Sequence, residues 1–442
     1  MYILTLNLTA MKKSIIIAAI INCMAISSFA QEFGKHFADS TLRLDYIFGG
    51  KVSSDGKPEC QVLLDGLVRT TGWSGRRNNL VSMPLAGNGR VTVRDKESGD
   101  TIYVTTFSTL FQEWLAMPES REVARSFENS FLVPMPRRLV TIDVELYDSN
   151  RKKVVEMSHN VNPSDILIVD RSNVNPNPHR YIHRSTHPER AIDVAILSEG
   201  YSVAEMDSFY KAAEIAVDAI LSHEPFRSRA DEFNFVAVGA PSSDSGVSVP
   251  RLGAWKSTAA GSNFSTFYSD RYLTTRNVKR VHDCLINVPY EHIIILANTT
   301  EYGGGGIYNF YTLTTAGHAS FRPVVVHEFG HSFGGLADEY FYSYDDPAAG
   351  LYHKGVEPWE QNITTLTDFD SKWKDMLPPG VRIPTSPAES SSYPVGVYEG
   401  GGYQSRGVFR PANDCRMRTN TSPAFCPVCI RAIDRLIDFY VK

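Results

Sequence analysis

The sequence has no excess of basic residues and, beyond its N-terminal segment, no long uninterrupted hydrophobic run. Its 442 residues carry a formal net charge of −5 and have a pI near 6.2. The chain therefore lacks the excess of positive charge that is typical of nucleic-acid-binding proteins. No later segment offers the roughly 18 consecutive apolar residues that a membrane-spanning helix needs. With 43% hydrophobic and 21% charged residues, the chain is typical of a folded protein, and its length allows two domains.

The N-terminus has the pattern of an export signal. Two lysines precede a largely apolar stretch, and Ser28 and Ala30 place small residues at positions −3 and −1 before Gln31. This pattern predicts a signal peptide over residues 1–30, cleaved after Ala30. We therefore expect an exported protein (periplasmic, at the cell surface or secreted), in a compartment where disulfides are permitted.

Between residues 31 and 170 the chain is rich in short runs that alternate apolar and polar residues. The clearest runs are 41–48, 89–94, 101–106 and 140–147. Period-two runs separated by turns predict an antiparallel, all-β sandwich-like domain. No catalytic set clusters there, so this domain is either a binding module or a structural partner for the rest of the chain. Residues 171–190, rich in Asn and Pro, are predicted to be a linker.

Residues 191–442 change to alternating strands and helices. The buried-strand runs are 191–197, 233–238 and 292–297. Amphipathic stretches that begin near Ser202 and Thr274 separate them, and this alternation predicts an α/β sheet layered with helices. A glycine-rich segment, 302–308, follows the third run. It is either a flexible connection or backbone at the edge of a cleft, where an extended peptide could add as a strand.

The strongest chemical signal is the stretch His327-Glu-Phe-Gly-His-Ser-Phe-Gly-Gly-Leu-Ala-Asp-Glu-Tyr340. It contains H-E-x-x-H, and on a helix residues i and i+4 lie on one face, so His327 and His331 can bind one zinc ion. Glu328 is placed to act on a water at that metal without ligating it. A zinc enzyme needs a third protein ligand, and Asp338 and Glu339 are the nearest candidates.

Two other functions fit parts of the same stretch. The sequence around Ser332 matches G-x-S-x-G, which would make Ser332 the nucleophile of a serine hydrolase. The only histidine after it is His353, 21 residues on, which leaves too little chain for the elements that normally separate the two. A catalytically inactive exported binding protein is the second alternative. The complete set of His327, Glu328 and His331 favours an enzyme.

Near the C-terminus, Cys415-Arg-Met417 is followed by Phe425-Cys-Pro-Val-Cys429. Met417 is well placed for the methionine-containing turn found downstream of metzincin zinc motifs. With the zinc motif, these residues resemble the M64 (IgA peptidase) family of metzincin-like zinc endopeptidases. The β-rich front half resembles the N-terminal domain of its Bacteroides-type members. The resemblance implies an α/β (α+β) zinc protease that hydrolyses internal bonds of protein or peptide substrates. It does not fix immunoglobulin A as the substrate.

The zinc motif departs from the metzincin pattern H-E-x-x-H-x-x-G-x-x-H. That pattern would place the third ligand at Ala337, which cannot bind a metal. Gly335 is interpreted as a one-residue insertion that moves the ligand to Asp338, with Glu339 as the alternative. The expected cofactor is one catalytic Zn²⁺, and Glu328 is the expected general base toward a zinc-activated water.

Cysteine is scarce, with six in the chain, and Cys23 falls in the predicted signal peptide. Cys415, Cys426 and Cys429 lie close together in sequence. They could hold a structural zinc, but the sequence shows no fourth ligand. A disulfide from Cys415 to Cys426 or Cys429 is therefore predicted in an exported protein.

Overall fold

The computed structural model describes residues 33–342 and 351–442. The predicted signal peptide at 1–30 lies outside the described residues. Within the described part of the chain, no helix is both long and apolar enough to cross a bilayer.

The front half is a β-sandwich built from two four-stranded sheets. In chain order its elements are β1 (Phe37–Val52), β2 (Pro58–Thr71), β3 (Gly89–Asp95), β4 (Thr101–Phe107), helix α1 (Leu110–Leu115), β5 (Arg125–Pro136), β6 (Val140–Tyr147), β7 (Lys153–Val161) and β8 (Val169–Asp170). The sheet orders are β5-β1-β2-β8 and β4-β3-β6-β7. The alternating runs of the sequence form β1, β3, β4 and β6. Successive side chains of a strand point to opposite faces of the sheet, so every second, apolar residue faces the core between the two sheets.

The second half is an α/β unit around one six-stranded sheet. Its elements are β9 (His179–His183), β10 (Ile192–Glu199), α2 (Met206–Leu221), β11 (Phe233–Val238), α3 (Val278–Cys284), β12 (His292–Ala297), β13 (Gly304–Ile307), β14 (Tyr311–Thr315), α4 (Phe321–Ser332), β15 (Tyr398–Gly401), β16 (Gln404–Arg410) and α5 (Pro427–Val441). The sheet order is β13-β14-β12-β10-β11-β9. The four central strands are parallel, and β13 and β9 join the edges antiparallel. The predicted fold class, a β-rich front followed by an α/β domain, is confirmed.

The structure differs from the sequence-based expectation in two segments. Part of the predicted linker forms β9, which pairs with β11. Its residues lack apolar alternation because an edge strand exposes much of its surface, so pairing with β11 decides its conformation. The glycine-rich segment forms β13 rather than a flexible connection.

Both faces of the six-stranded sheet are buried. One face packs on α2, α4 and α5 in a hydrophobic cluster. The opposite face belongs to a second cluster, which continues into the sandwich of the front half. Polar contacts join the halves as well: Arg43 Nη1 lies 2.8 Å from Asp283 Oδ1, and Asn309 Nδ2 donates to the Thr106 carbonyl at 2.8 Å. The helix that carries the zinc motif is held against β13 and β14 of the sheet and also contacts α2.

Candidate metal centre

Helix α4 carries the three residues of the H-E-x-x-H motif, and all three are partly exposed. Ser320 precedes its first turn, and the helix ends at Ser332. Its inward face consists of buried apolar side chains, among them Val325, Val326 and Phe329. His327 and His331 keep 13% and 14% of their side-chain surface exposed, so they point away from that core, on the face that opens to solvent.

Three ligand atoms converge at this face of α4. His327 Nε2 and His331 Nε2 lie 3.0 Å apart. Asp338 Oδ1 lies 3.1 Å from the first and 3.3 Å from the second. The structure thus brings together both histidines and the favoured third-ligand candidate from beyond the helix.

The donor set fits a zinc ion. For tetrahedral zinc with bonds of about 2.0–2.1 Å, ligand atoms should be about 3.3 Å apart, close to the separations found here. Asp338 Oδ1 is buried and makes no hydrogen bond to any residue that the structure describes, which is costly unless a cation takes that place. Burial alone would lower the pKa of His331, but Asp338 raises it to about 9. Burial alone would raise the pKa of Asp338, but the histidines hold it well below its usual value. The pocket therefore favours positive charge between these side chains.

Each of the three side chains is oriented by a second partner. His327 Nδ1 lies 3.0 Å from the Arg416 carbonyl, and His331 Nδ1 lies 2.6 Å from the Leu336 carbonyl. Since a carbonyl only accepts, both Nδ1 atoms carry a proton, so Nε2 is the atom of each ring that can bind a metal once it has lost its own proton. The Tyr403 hydroxyl donates to Asp338 Oδ2, which leaves Oδ1 free to ligate.

Glu328 lies beside the ligand atoms and is partly buried. Burial raises the pKa of Glu328, while the charges of His327 and His331 oppose the rise. One of its ligand atoms lies within 4.8 Å of those of both histidines. A carboxylate so placed, with a raised pKa, is suited to accept and return a proton.

The glycine run of β13 is explained by close packing on two sides. A Cβ at Gly304 would lie 2.8 Å from Glu328 Oε1, and one at Gly306 would lie 2.9 Å from His331 Cβ. A Cβ at Gly303 would lie 2.5 Å from the Arg271 carbonyl. β13 is therefore pressed against the zinc-motif helix, and only glycine permits that approach. Its outer edge already carries an isolated bridge from Tyr272 to Gly304, so a substrate strand could add only beyond that point.

Glu339 and Met417 do not join the ligand atoms of His327, His331 and Asp338, but are buried beside them. Glu339 is fully buried against cysteines, and Cys429 Sγ lies 3.1 Å from its Oε1. Met417 is also fully buried, and a Cβ on Gly330 would lie 2.7 Å from its Sδ. The Met417 carbonyl accepts from the Glu339 amide at 2.8 Å. The turn that contains Met417 thus supports both α4 and the Asp338 segment.

The sequence did not identify three further side chains near the centre. Tyr403 comes from the β15–β16 hairpin, and no local motif marks it. Glu113 comes from α1 in the front half, and Tyr272 donates its hydroxyl proton to it. Burial raises the pKa of Glu113 to about 7, and the charges of Asp338 and Glu328 act on it. The front half therefore brings an acidic group toward the centre, which only the docking of the two halves could reveal.

The rival nucleophile, Ser332, lies on the inner side of the same helix. It is buried, and its Oγ lies 2.5 Å from Thr312 Oγ1. His353, its only downstream histidine, has its Nε2 2.8 Å from Ser149 Oγ instead. Nothing in this geometry activates Ser332.

Comparisons with known families agree with the geometry. The sequence model of a family described as IgA Peptidase M64 matches residues 181–393 and 386–437. A second, described as Peptidase M64 N-terminus, matches residues 32–158. A comparison with curated proteins gave no match. The two family matches confirm the resemblance drawn from the sequence, for both halves of the chain.

Proposed function

This chain belongs to the IgA peptidase M64 family, and from that premise we propose that it is an exported, zinc-dependent endopeptidase. Family membership makes it a peptidase with protein substrates. The observation that carries the metal dependence is the convergence of His327 Nε2, His331 Nε2 and Asp338 Oδ1 within 3.3 Å of one another. Two neutral imidazoles and one carboxylate are the donors of a catalytic zinc site with one position left open.

The chain's own residues divide the chemistry of peptide hydrolysis among them. When bound there, zinc would supply a Lewis acid that polarises the scissile carbonyl and lowers the pKa of water toward about 7. Glu328 takes the proton of the attacking water and then delivers it to the leaving amine. The backbone carbonyls on His327 and His331 fix both rings, so neither histidine is free to act as the base.

We expect the mature enzyme to work outside the cytoplasm, because the first 30 residues have the pattern of a signal peptide. Expression of the full chain, cell fractionation and N-terminal sequencing test this part. A mature N-terminus at Gln31 in an extracytoplasmic fraction supports it. A full-length chain retained in the cytoplasm contradicts it.

The catalytic assignment is tested by Glu328→Ala in a casein digest, with and without a chelator. The variant should bind as much zinc as the unaltered protein but lose cleavage, because the base is gone while the ligands remain. Glu122→Ala, at an exposed glutamate, is the matched control and should cleave normally. An active Glu328→Ala protein would sink the assignment.

The same assay separates the two alternatives. Ser332→Ala should remain active, whereas a serine hydrolase would lose activity and resist the chelator. If the unaltered protein binds zinc but shows no chelator-sensitive cleavage, the inactive binding protein is favoured instead. A digest of an unbiased peptide library would then define the cleavage-site preference.

A further inference from the structure

A second cluster of metal-binding side chains lies behind the candidate catalytic centre. It consists of Glu339, Cys415, Cys426 and Cys429, all buried, and one potential ligand atom from each lies within 4.8 Å of the others. We propose that these four residues form a structural zinc site, separate from the catalytic one. The inference does not rest on the proposed catalytic function, because it depends only on these four side chains and their surroundings.

The sulfur positions match a tetrahedral zinc site. Cys415 Sγ and Cys429 Sγ lie 3.8 Å apart. Zinc–sulfur bonds of about 2.3 Å in a tetrahedron place two sulfurs about 3.8 Å apart. Three thiolates and one carboxylate close all four positions, which is the arrangement of structural rather than catalytic zinc. Soft sulfur donors favour zinc over the hard cations magnesium and calcium.

Glu339 supplies the fourth ligand that the sequence did not show. Its Oε1 accepts from Asn362 Nδ2 at 3.0 Å, which fixes the carboxylate. Its Oε2 is buried and makes no hydrogen bond. A fully buried carboxylate is unfavourable without a nearby cation, and a metal ion in the cluster, where Oε1 lies 3.1 Å from Cys429 Sγ, would supply one.

The surroundings compensate a negatively charged cluster. Arg410 and Arg416 are only 2% and 5% exposed, and within the described residues neither forms an ion pair with a carboxylate. Burial raises the pKa of Glu339, and the positive charge of Arg410 opposes that rise. A Cys415 thiolate and the Arg416 guanidinium likewise stabilise each other's charged form. Four anionic ligands around Zn²⁺ leave a net charge of about −2, which these two arginines can balance.

The backbone is arranged to stabilise thiolates. Cys426 caps the N-terminus of α5, and Cys429 lies in its first turn, where the helix dipole favours negative charge. The Cys426 amide donates to Cys415 Sγ at 3.2 Å. The site would therefore tie together three segments: the residue after Asp338, the start of the Met417 turn and the C-terminal helix.

A disulfide among the same cysteines remains the competing assignment. A disulfide needs sulfurs about 2.05 Å apart, whereas Cys415 and Cys429 are held as free thiols 3.8 Å apart. It would also use two of the three sulfurs, leaving the third cysteine as a buried thiol and the Glu339 carboxylate without a cation beside it. A metal ion uses all four groups.

The experiment combines metal counting with cobalt substitution. The unaltered protein should contain two zinc ions per chain. His327→Ala/His331→Ala should retain one. Cobalt in that double variant should give the intense near-ultraviolet thiolate charge-transfer absorption, because the catalytic ligands contain no sulfur. Cys429→Ala and the conservative Glu339→Gln should each lose one zinc. Cys60→Ala, at a cysteine outside the cluster, is the matched control and should keep both.

The outcomes are distinguishable from those of the catalytic proposal. A zinc-binding protein that shows the cobalt–thiolate absorption but no peptidase activity overturns the catalytic proposal alone. Loss of all metal in His327→Ala/His331→Ala, in a protein that remains folded by circular dichroism, overturns the structural site. So does the release of two additional thiols when the denatured Cys60→Ala variant is reduced, because a disulfide in that variant must use a cysteine of the cluster. Should Cys429→Ala not fold, Glu339→Gln and the cobalt spectrum of the double variant decide the question.

Discussion

Gly306 separates β13 from the zinc-motif helix, and Gly306→Ala should damage stability and catalysis together. A Cβ at this position would lie 2.2 Å from the Glu328 carbonyl oxygen and 2.9 Å from His331 Cβ. Since real Cβ contacts are essentially never under 3.0 Å, β13 and α4 must move apart by about 1 Å. The backbone oxygen of Glu328 cannot swing away as a side chain can, because it belongs to a hydrogen-bonded helix.

The expected magnitudes follow from that displacement. Overpacking of this kind costs about 1–3 kcal/mol, which lowers the melting temperature by about 2–12 °C at 2–4 °C per kcal/mol. A shift of about 1 Å in the catalytic helix should lower kcat/KM by roughly 100-fold. The two effects share one cause, since Gly306 lies against the backbone of the proposed base and against His331, a proposed zinc ligand.

Gly66→Ala is the matched control, because a Cβ at Gly66 in β2 meets no atom within 4 Å. Its effect should stay within about 0.5 kcal/mol. Thermal unfolding and peptide hydrolysis are measured for both variants under conditions in which each is folded. The reasoning fails if Gly306→Ala melts and cleaves like Gly66→Ala. If only its melting temperature falls, the packing argument stands and the positioning argument is wrong.

Two further changes test the outer partner of the centre and a buried acid elsewhere in the sheet. Tyr403→Phe removes the hydroxyl that donates to Asp338 Oδ2. Zinc affinity, measured by competition with a chelator, should therefore fall about 10–100-fold. An unchanged affinity would contradict the role of Tyr403 in orienting Asp338. Burial raises the pKa of Asp193 from 3.8 to about 6, so the stability that this carboxyl contributes is present below pH 3.8 and is lost as the pH rises through about 6. Asp193→Asn keeps an oxygen that accepts from Asn234 Nδ2 but removes the charge. As the pH rises from 4 to 7.5, the free energy of unfolding of the variant, measured in urea, should therefore gain up to about 3 kcal/mol relative to that of the unaltered protein. Parallel pH profiles of the two proteins would refute this.

Local patterns explain why much of the architecture could be predicted. The strands β10, β11 and β12 are buried and predominantly apolar, as expected where both faces of a parallel sheet are covered. The alternating runs of the front half follow from the two-residue period of strands. β9 was missed because its edge position leaves it without that period. The conformation of the glycine run could not be predicted, because it is set by packing against residues distant in sequence. These are α4 on one side and Arg271 and Tyr272 on the other.

The sequence alone predicted that His327, Glu328 and His331 share one region of a helix, because their spacing and the helical repeat are local properties. Only the tertiary structure decided how the adjacent acids Asp338 and Glu339 are used. Successive side chains of this non-helical segment face opposite ways: Asp338 approaches the histidines, and Glu339 approaches the cysteines. From two adjacent acidic residues alone, the sequence does not show which side chain points toward the histidines and which toward the cysteines. The Met417 turn and the hairpin that bears Tyr403, both more than 60 residues farther along the chain, set that direction through long-range hydrogen bonds.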